Sequence, residues 1–296
     1  MQHRKVSEVL GAEVLDFDAT RPATPEQQQQ LRDLFAEYHL LLIRGQDLHE
    51  EDQDRFTRYF GPLSLMSKNA SAGHVSNRGL TRDDDGTVVT GQQRLLWHAD
   101  GTYGIHPGIG TSLLAMEVAP GTTPTEFASG TRPLRKLPPA LYEKIRNLKA
   151  VHFRNVAEET TYKRVRIQDI PETAGAGDFR SYEHPIIYRP PHIAEDVLFI
   201  NELATSHISG MNADEGEALI QELFSYIYTG ENIYVHEWQP QDLVIWDNIA
   251  LQHCRPRELG SAPRHLRRLS LDGWISPAGL IDWPASGTVR DVANAA

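Results

Sequence analysis

Three side chains in this sequence have the types and the spacing to bind one metal ion. His98 and Asp100 are separated by one residue in the run 96–100, and in an extended strand such alternate side chains leave from the same face. A second imidazole is available far downstream at His253, which follows the apolar run 243–246 and a polar turn. Two imidazoles and one carboxylate leave one face of an octahedral ion open. The set therefore suits non-haem Fe(II) that also binds a cosubstrate and O2.

The same residues also have a purely structural interpretation. The chain contains 13 histidines, and a His-x-Asp triplet taken alone is more often a hydrogen-bonded pair than a pair of metal ligands. The single cysteine, Cys254, excludes an internal disulfide and a cysteine-rich zinc site. A zinc hydrolase is disfavoured because no histidine pair has helical i, i+4 spacing with a glutamate base. The rest of the sequence therefore has to decide between a metal site and a structural hydrogen-bonded pair.

Composition excludes several classes of protein. The net charge of −11 disfavours nucleic-acid binding, although arginines cluster locally at 264–268. No apolar run approaches the roughly 18 residues of a membrane span. The basic stretch 1–7 is not followed by the apolar segment of a secretory signal. We therefore expect a cytoplasmic protein with a small-molecule substrate, without a nucleic-acid or membrane partner.

The elements that must position the three side chains follow from the spacing of apolar residues. Thr24 and Pro25 are typical of a helix start, and an apolar stripe follows them to residue 38. Further helices are predicted over 49–60, 138–148 and 214–228, and strands over 9–18, 40–43, 112–118, 125–128, 184–188, 197–201, 207–208, 233–238, 242–246 and 264–274. Many short strands and few helices predict a mainly β fold, a sandwich or barrel with helices outside.

The domain organisation is predicted to be simple. No internal repeat or linker divides residues 1–296, so we expect one domain. The polar segment 64–93, with the acidic run 83–86, is predicted to be a lid loop over the site, with a solvated excursion as the alternative. The glycine-rich segment 155–182 is predicted to be a mobile insertion.

Several motifs together resemble the taurine/2,4-dichlorophenoxyacetate dioxygenase family. They are Trp97-His98-Ala99-Asp100, Thr125, Trp246-Asp247-Asn248 with His253, and Arg264, supported by the segments 11–14, 60–62, 199–202 and 238–242. Their order and separation make the combination far more specific than any single part. The resemblance implies an oxygenase that depends on Fe(II) and 2-oxoglutarate, with a double-stranded β-helix (jelly-roll, cupin-like) fold.

The resemblance also implies roles for individual residues. His98, Asp100 and His253 would be the iron ligands, and Thr125 and Arg264 would bind the distal carboxylate of 2-oxoglutarate. The chemistry is suitable, because a hydroxyl and a planar guanidinium can satisfy a buried carboxylate. Arg264 is expected on the strand next to that of His253.

Strand alternation gives an inference about the arginine cluster. Arg264 and Arg268 fall on one face of a strand and Arg267 on the other. Two inward arginines near one iron suggest a second anion, the carboxylate, sulfonate or similar group of the substrate. In the family the position matching Arg268 holds such an anion. Arg267 is predicted to form a solvated basic edge.

Three positions depart from the pattern of taurine-type members. Met66 stands where they have a histidine, Arg94 where they have an asparagine, and 121–124 where the turn is usually glycine-rich. Taurine is therefore not the expected substrate, and Arg94 is either a contact to a carboxylate-bearing substrate or a surface salt bridge. Asp100 favours hydroxylation, desaturation or oxidative cleavage, because halogenating relatives replace this carboxylate with a small residue.

The sequence thus predicts a dioxygenase that oxidises a small anionic metabolite and releases succinate and CO2. Family members often self-associate, which is compatible with a homo-oligomer. Two alternatives remain at this point. A cupin-like metal-binding isomerase or lyase would use the same three ligands without 2-oxoglutarate, and a non-catalytic β-barrel would use the histidines as hydrogen-bonding core residues.

Overall fold

The fold is described from a computed structural model of the chain. The structure describes residues 1–64, 73–76, 94–154, 164–169, 181–257, 262–276 and 279–281. Most of the predicted lid 64–93 and of the predicted insertion 155–182 lies outside these described residues.

The described residues form the following elements. The helices are α1 (Pro25–Tyr38), α2 (Glu50–Arg58), α3 (Arg132–Lys136), α4 (Pro139–Ile145) and α5 (Ala213–Ile227). The strands are β1 (His3–Lys5), β2 (Ala12–Val14), β3 (Leu40–Ile43), β4 (His74–Ser76), β5 (Leu95–His98), β6 (Gly110–Val118), β7 (Thr125–Ser129), β8 (Lys149–Phe153), β9 (Ser181–Pro185), β10 (Ile187–Tyr188), β11 (Val197–Leu198), β12 (Thr205–Ile208), β13 (Ile233–His236), β14 (Leu243–Asp247), β15 (Leu251–Arg255), β16 (Arg264–Leu271), β17 (Trp274–Ser276) and β18 (Gly279–Ile281).

The first helix begins and ends as its sequence predicts. The Thr24 hydroxyl accepts a hydrogen bond from the Gln27 backbone N–H, and the Gln27 side chain accepts one from the Thr24 N–H, which forms a capping box. The helix ends at His39, which adopts a left-handed conformation with φ of 60°. Its buried residues are Leu31, Leu34 and Phe35. None of the helices in the described ranges combines the length and the apolar character that crossing a membrane requires.

The larger sheet has the order β1-β2-β3-β14-β6-β16-β4. Its central strand is β14, in which Val244 pairs with Leu42 of β3 and with Leu113 of β6. The strands β3 and β14 are apolar on both faces because α1 and α2 pack on the outer face and the other sheet covers the inner one. This double burial explains the unbroken apolar runs that the sequence shows at these positions.

The smaller main sheet, with the order β13-β7-β15-β5, faces the larger one. Phe127 of β7 meets Trp246 of β14 with ring centroids 5.2 Å apart. The next residue, Ala128, points the other way, into a second apolar cluster with Cys254 and the buried face of α5. Two facing sheets, antiparallel except for the parallel pair β2–β3, with helices outside confirm the predicted jelly roll, mainly β with flanking helices.

Two expectations about strands are wrong. Residues 74–76, inside the segment predicted to be irregular, form β4 and pair with β16. Arg264 does not lie on the strand next to that of His253, because β15 pairs with β5 and β7 whereas β16 pairs with β6 and β4. The strands β13, β14, β15 and β16 alternate between the two sheets, so adjacency in sequence does not give adjacency in space here.

Candidate active site

The structure brings His98, Asp100 and His253 together at one end of the smaller sheet. His253 is the direct register partner of His98, and their ring centroids are 4.1 Å apart. The Nε2 atom of His98 is 3.7 Å from Oδ1 of Asp100. One ligand atom from each of the three residues lies within 4.8 Å of the others, which is a geometry that one metal ion can bridge.

Asp100 reaches this cluster in a different way from the one predicted. The strand β5 ends at His98, and Asp100 lies in the turn that follows, so strand alternation does not place it. The Asp100 backbone N–H donates to Oδ1 of Asn248 at 2.9 Å, and Nδ2 of Asn248 donates back to the Asp100 carbonyl at 2.9 Å. Gly101 permits the turn, because its φ of +73° favours glycine. Asn248 therefore sets the position of Asp100.

Asn248 is itself held by its neighbour Asp247. The buried Asp247 carboxylate accepts hydrogen bonds from Nε2 of His192 at 2.8 Å and from the backbone N–H groups of Ile249 and Ala250 at 2.9 and 3.0 Å. These contacts fix the turn between β14 and β15. The sequence motif pointed to this turn but not to the function of its asparagine or to the involvement of His192.

The surroundings of the two imidazoles are compatible with metal binding. Nδ1 of His98 lies 2.8 Å from the Leu96 carbonyl, which can only accept, so Nδ1 carries the proton and Nε2 offers a lone pair towards Asp100. Nδ1 of His253 is buried without a hydrogen-bond partner among the described residues. One ring nitrogen of His253 lies within 4.8 Å of ligand atoms of His98 and Asp100, and a buried imidazole with an unsatisfied nitrogen in this position fits a site for a divalent metal.

The protonation states also fit a divalent metal. Burial lowers the pKa of His98, and burial together with His98 lowers the pKa of His253 to about 3. Burial alone would raise the pKa of Asp100, but its interactions with His253, Arg268 and His98 and a hydrogen bond from Thr111 outweigh burial and hold this pKa below its usual value. At neutral pH the cluster therefore has two neutral imidazoles and one ionised carboxylate. These are the ligand forms that Fe(II) requires.

A second cluster joins Thr125 and Arg264 across the barrel. Nη2 of Arg264, on the larger sheet, donates to Oγ1 of Thr125, on the smaller sheet, at 3.2 Å. Nε1 of Trp238 donates to the same oxygen at 3.0 Å, and the Arg264 guanidinium lies 5.9 Å from the Trp238 ring centroid. Burial, with a contribution from the Arg255 charge, lowers the pKa of Arg264 to about 9, so the guanidinium is charged at neutral pH. A buried cation beside a hydroxyl suits a carboxylate.

Arg268 and Arg267 lie on opposite faces of β16, as alternation predicts. The charge of Arg268 lowers the pKa of Asp100, His98 and His253, so Arg268 lies on the face of β16 towards these three residues. The prediction that Arg267 forms a solvated edge is wrong, since Arg267 is buried. Its Nε donates to Gln53 at 2.7 Å, and Nη2 donates to the His49 carbonyl at 2.9 Å. The reason is that α2 covers this face of the sheet.

Arg94 and the turn before Thr125 are also placed. Arg94 is exposed immediately before β5; burial raises the pKa of Glu202, and the Arg94 charge offsets part of that rise. Thr122 and Thr123 of the turn are buried, and Gly121 has a φ of +76°. Met66 lies outside the described residues.

Sequence reasoning missed Arg255. It follows His253 by two positions on β15 and is buried. Its charge lowers the pKa of both Arg264 and His98, so it lies near both clusters. The same two-residue alternation that was applied to Arg264 and Arg268 would have indicated it.

Comparisons with known proteins agree with this geometry. The family model described as taurine catabolism dioxygenase TauD, TfdA family matches residues 2–270. The chain is 28% identical to an alpha-ketoglutarate-dependent 2,4-dichlorophenoxyacetate dioxygenase of Cupriavidus pinatubonensis, over 88% of this chain and 93% of that one. It is 30% identical to the (S)-phenoxypropionate/alpha-ketoglutarate-dioxygenase of Sphingobium herbicidovorans, over 75% and 78%.

A solved structure shows the same fold. A taurine dioxygenase from Burkholderia xenovorans superposes with a TM-score of 0.75 at 22% identity, over 99% of both chains. At this identity the likeness concerns the fold and not the substrate.

Proposed function

The chain belongs to the TauD, TfdA family of dioxygenases, and we propose that its Fe(II) is bound by His98, Asp100 and His253. The enzyme is an alpha-ketoglutarate-dependent dioxygenase, as its named relatives are. The observation that carries the ligand assignment is the approach of one donor atom from each residue to within 4.8 Å of the others. Neutral imidazoles and an ionised carboxylate fit a divalent metal, as argued above.

We place the distal carboxylate of 2-oxoglutarate against Thr125 and Arg264. Both side chains are buried, and their mutual hydrogen bond fixes a hydroxyl and a guanidinium at one point between the sheets. A carboxylate bound there would pair with the buried guanidinium, whose burial is otherwise costly. The cosubstrate is then oriented with its keto-acid end towards the metal cluster.

The bound iron supplies O2 activation, which couples decarboxylation of 2-oxoglutarate to succinate and CO2 with oxidation of the substrate. The residues of the chain hold the reactants in place. Asn248 keeps the Asp100 carboxylate in position, and Thr111 contacts its second oxygen at 3.4 Å. Because a carboxylate occupies this position, the expected outcomes are hydroxylation, desaturation or oxidative cleavage.

The substrate is proposed to be a small anion, with a carboxylate as the recognised group. Arg268 lies on the same face of β16 as Arg264, four residues further, which is about 13 Å along a strand. The two arginines can thus serve two separate anions. Arg94, exposed before the strand that ends in His98, is the second proposed contact to the substrate. Two relatives are named for carboxylates, 2,4-dichlorophenoxyacetate and phenoxypropionate.

Both sheets contribute to the site, which supports a single oxygenase domain over residues 1–296. Thr125 and His253 come from the smaller sheet and Arg264 from the larger one. Neither sheet alone would bring the metal and cosubstrate residues together.

The test is an anaerobic titration of the purified protein with Fe(II) and 2-oxoglutarate. A metal-chelated keto acid gives a weak visible charge-transfer band, which neither an isomerase without 2-oxoglutarate nor an inert barrel would show. Succinate formation in air should then rise with aryloxyacetates or similar carboxylates and not with taurine. Retained substrate-dependent succinate formation by His98→Ala would refute the ligand assignment.

A further inference from the structure

The hydroxyl of Thr125 has an unusual set of neighbours. A threonine hydroxyl has one proton to donate and two lone pairs that accept. Here the oxygen accepts from Nε1 of Trp238 at 3.0 Å and from Nη2 of Arg264 at 3.2 Å, and indole and guanidinium nitrogens are donors only. Both lone pairs are therefore occupied. The hydroxyl proton has to point towards a third group that accepts.

We propose that Trp238 is a positioning residue for the cosubstrate, which fixes the Thr125 hydroxyl so that it donates its proton to the distal carboxylate of 2-oxoglutarate. This inference rests on the proposed function of Thr125 and Arg264. Without the indole N–H, the hydroxyl can rotate and use its proton elsewhere. The carboxylate would then lose a hydrogen bond that the pocket otherwise holds ready before binding.

Trp238 is itself rigidly held. The buried His236 meets its ring edge-on, with centroids 4.4 Å apart and an interplanar angle of 90°. His236 is also the direct register partner of Thr125 across the β13–β7 pair. The Nε2 atom of His236 lies 3.3 Å from the buried Asp242 carboxylate. The indole therefore approaches Thr125 from a fixed direction.

The turn that carries Trp238 is closed by the same aspartate. The Asp242 carboxylate accepts the Gln239 backbone N–H at 2.9 Å, and both of its oxygens lie 2.9 Å from Nη1 of Arg44. The Arg264 guanidinium lies 5.9 Å from the Trp238 ring centroid, a contact that needs an aromatic ring but not the indole N–H. A residue that served only as core packing would need no N–H directed at Thr125.

The experiment compares two keto acids in Trp238→Phe. 2-Oxoglutarate and 2-oxopentanoate have the same chelating end and chain length, but 2-oxopentanoate lacks the distal carboxylate. Binding is followed anaerobically by the visible band of the Fe(II) chelate, and metal affinity is measured separately with Mn(II). We expect 2-oxoglutarate to bind about 10-fold more weakly, in line with the loss of one hydrogen bond to a charged group. Binding of 2-oxopentanoate and Mn(II) should be unchanged.

A second pair of variants protects the test against misfolding and general loosening. Thr125→Val removes the hydroxyl, so adding Trp238→Phe to it should cause no further loss of 2-oxoglutarate affinity. If Trp238→Phe does not fold, benzothienylalanine at position 238 keeps the ring size and removes only the N–H. Its expected effect is the same.

Each outcome supports or overturns the inferred positioning function of Trp238. Unchanged 2-oxoglutarate affinity, an equal loss for both keto acids, or additive losses in the double variant would overturn the inference and leave the proposed function intact. Absence of the band in the wild-type protein would refute the proposed function and this inference with it.

Discussion

The proposed metal site (His98, Asp100 and His253), here the metal cluster, and the proposed carboxylate pocket (Thr125 and Arg264) lie in one barrel but are built on different principles. The two histidines of the metal cluster sit on adjacent strands of one sheet, in direct register. The threonine and arginine of the pocket come from opposite sheets and meet through one hydrogen bond across the interior. The first arrangement is secured by backbone pairing and the second by the packing of the sheets.

This difference predicts different sensitivities. Backbone pairing places His98 opposite His253 independently of side-chain contacts. Metal binding should therefore depend on the three ligands and on the turn that carries Asp100. The pocket depends on buried side chains that orient one another, so cosubstrate binding should respond to substitutions that leave metal binding intact. The following experiments break or sharpen this contrast.

The largest effect is expected for Asp100→Ala. Removing the carboxylate leaves two neutral imidazoles, and Mn(II) affinity measured by calorimetry should fall by more than the roughly 100-fold upper range of outer-shell changes. His3→Ala, an exposed histidine on β1, is the control and should bind Mn(II) like the wild type. Near-normal metal affinity of Asp100→Ala would show that the cluster is not the metal site.

Arg264→Met is expected to separate the two regions. The carboxylate would lose its buried cation, and 2-oxoglutarate should bind about 100-fold more weakly, as for a truncated buried charge pair. Because Arg264 belongs to the other sheet, Mn(II) affinity should not change. A parallel loss of metal affinity would mean that the two regions are one cooperative unit.

Asn248→Ala tests the part of the metal cluster that backbone pairing does not secure. The Asp100 backbone would lose its two side-chain hydrogen bonds, and we expect Mn(II) affinity to fall by about 10- to 100-fold. The matched control is Asn232→Ala, because buried Asn232 donates to the carbonyls of Ser129 and Ile227 away from the cluster. Both variants should lower the melting temperature, but a loss of metal affinity in Asn232→Ala as well would indicate a general stability effect.

The smallest effect is expected for pH. The pKa of His253 is lowered to about 3, so protons should not compete for this imidazole between pH 7.5 and about 5.5, and the lowered pKa of His98 reduces the competition there. Mn(II) affinity should therefore fall by less than about 10-fold in this range. Two solvated histidines with a pKa near 6.5 would instead each lose about 10-fold by pH 5.5. Such a fall in a calorimetric pH series would contradict the burial of the pair.

The sequence indicated which residue types could bind a metal or a carboxylate, but only part of their surroundings. The residue types and order of His98, Asp100 and His253 were sufficient to propose a metal cluster, and alternation along β16 correctly separated Arg264 and Arg268 from Arg267. The alternation did not indicate that α2 covers Arg267, because the residues that contact Arg267 lie more than 200 positions away in the chain.

What the sequence determined by itself is local. The capping box of α1, the buried runs of β3 and β14 and the period of two along β15 and β16 depend on neighbours a few positions apart. Tertiary structure decided which sheet each strand joins, how Asn248 holds Asp100, and which two donors converge on the Thr125 hydroxyl. The physical reason is that periodicity specifies which face a side chain occupies, whereas hydrogen-bond partners across a barrel are set by the packing of residues far apart in the chain.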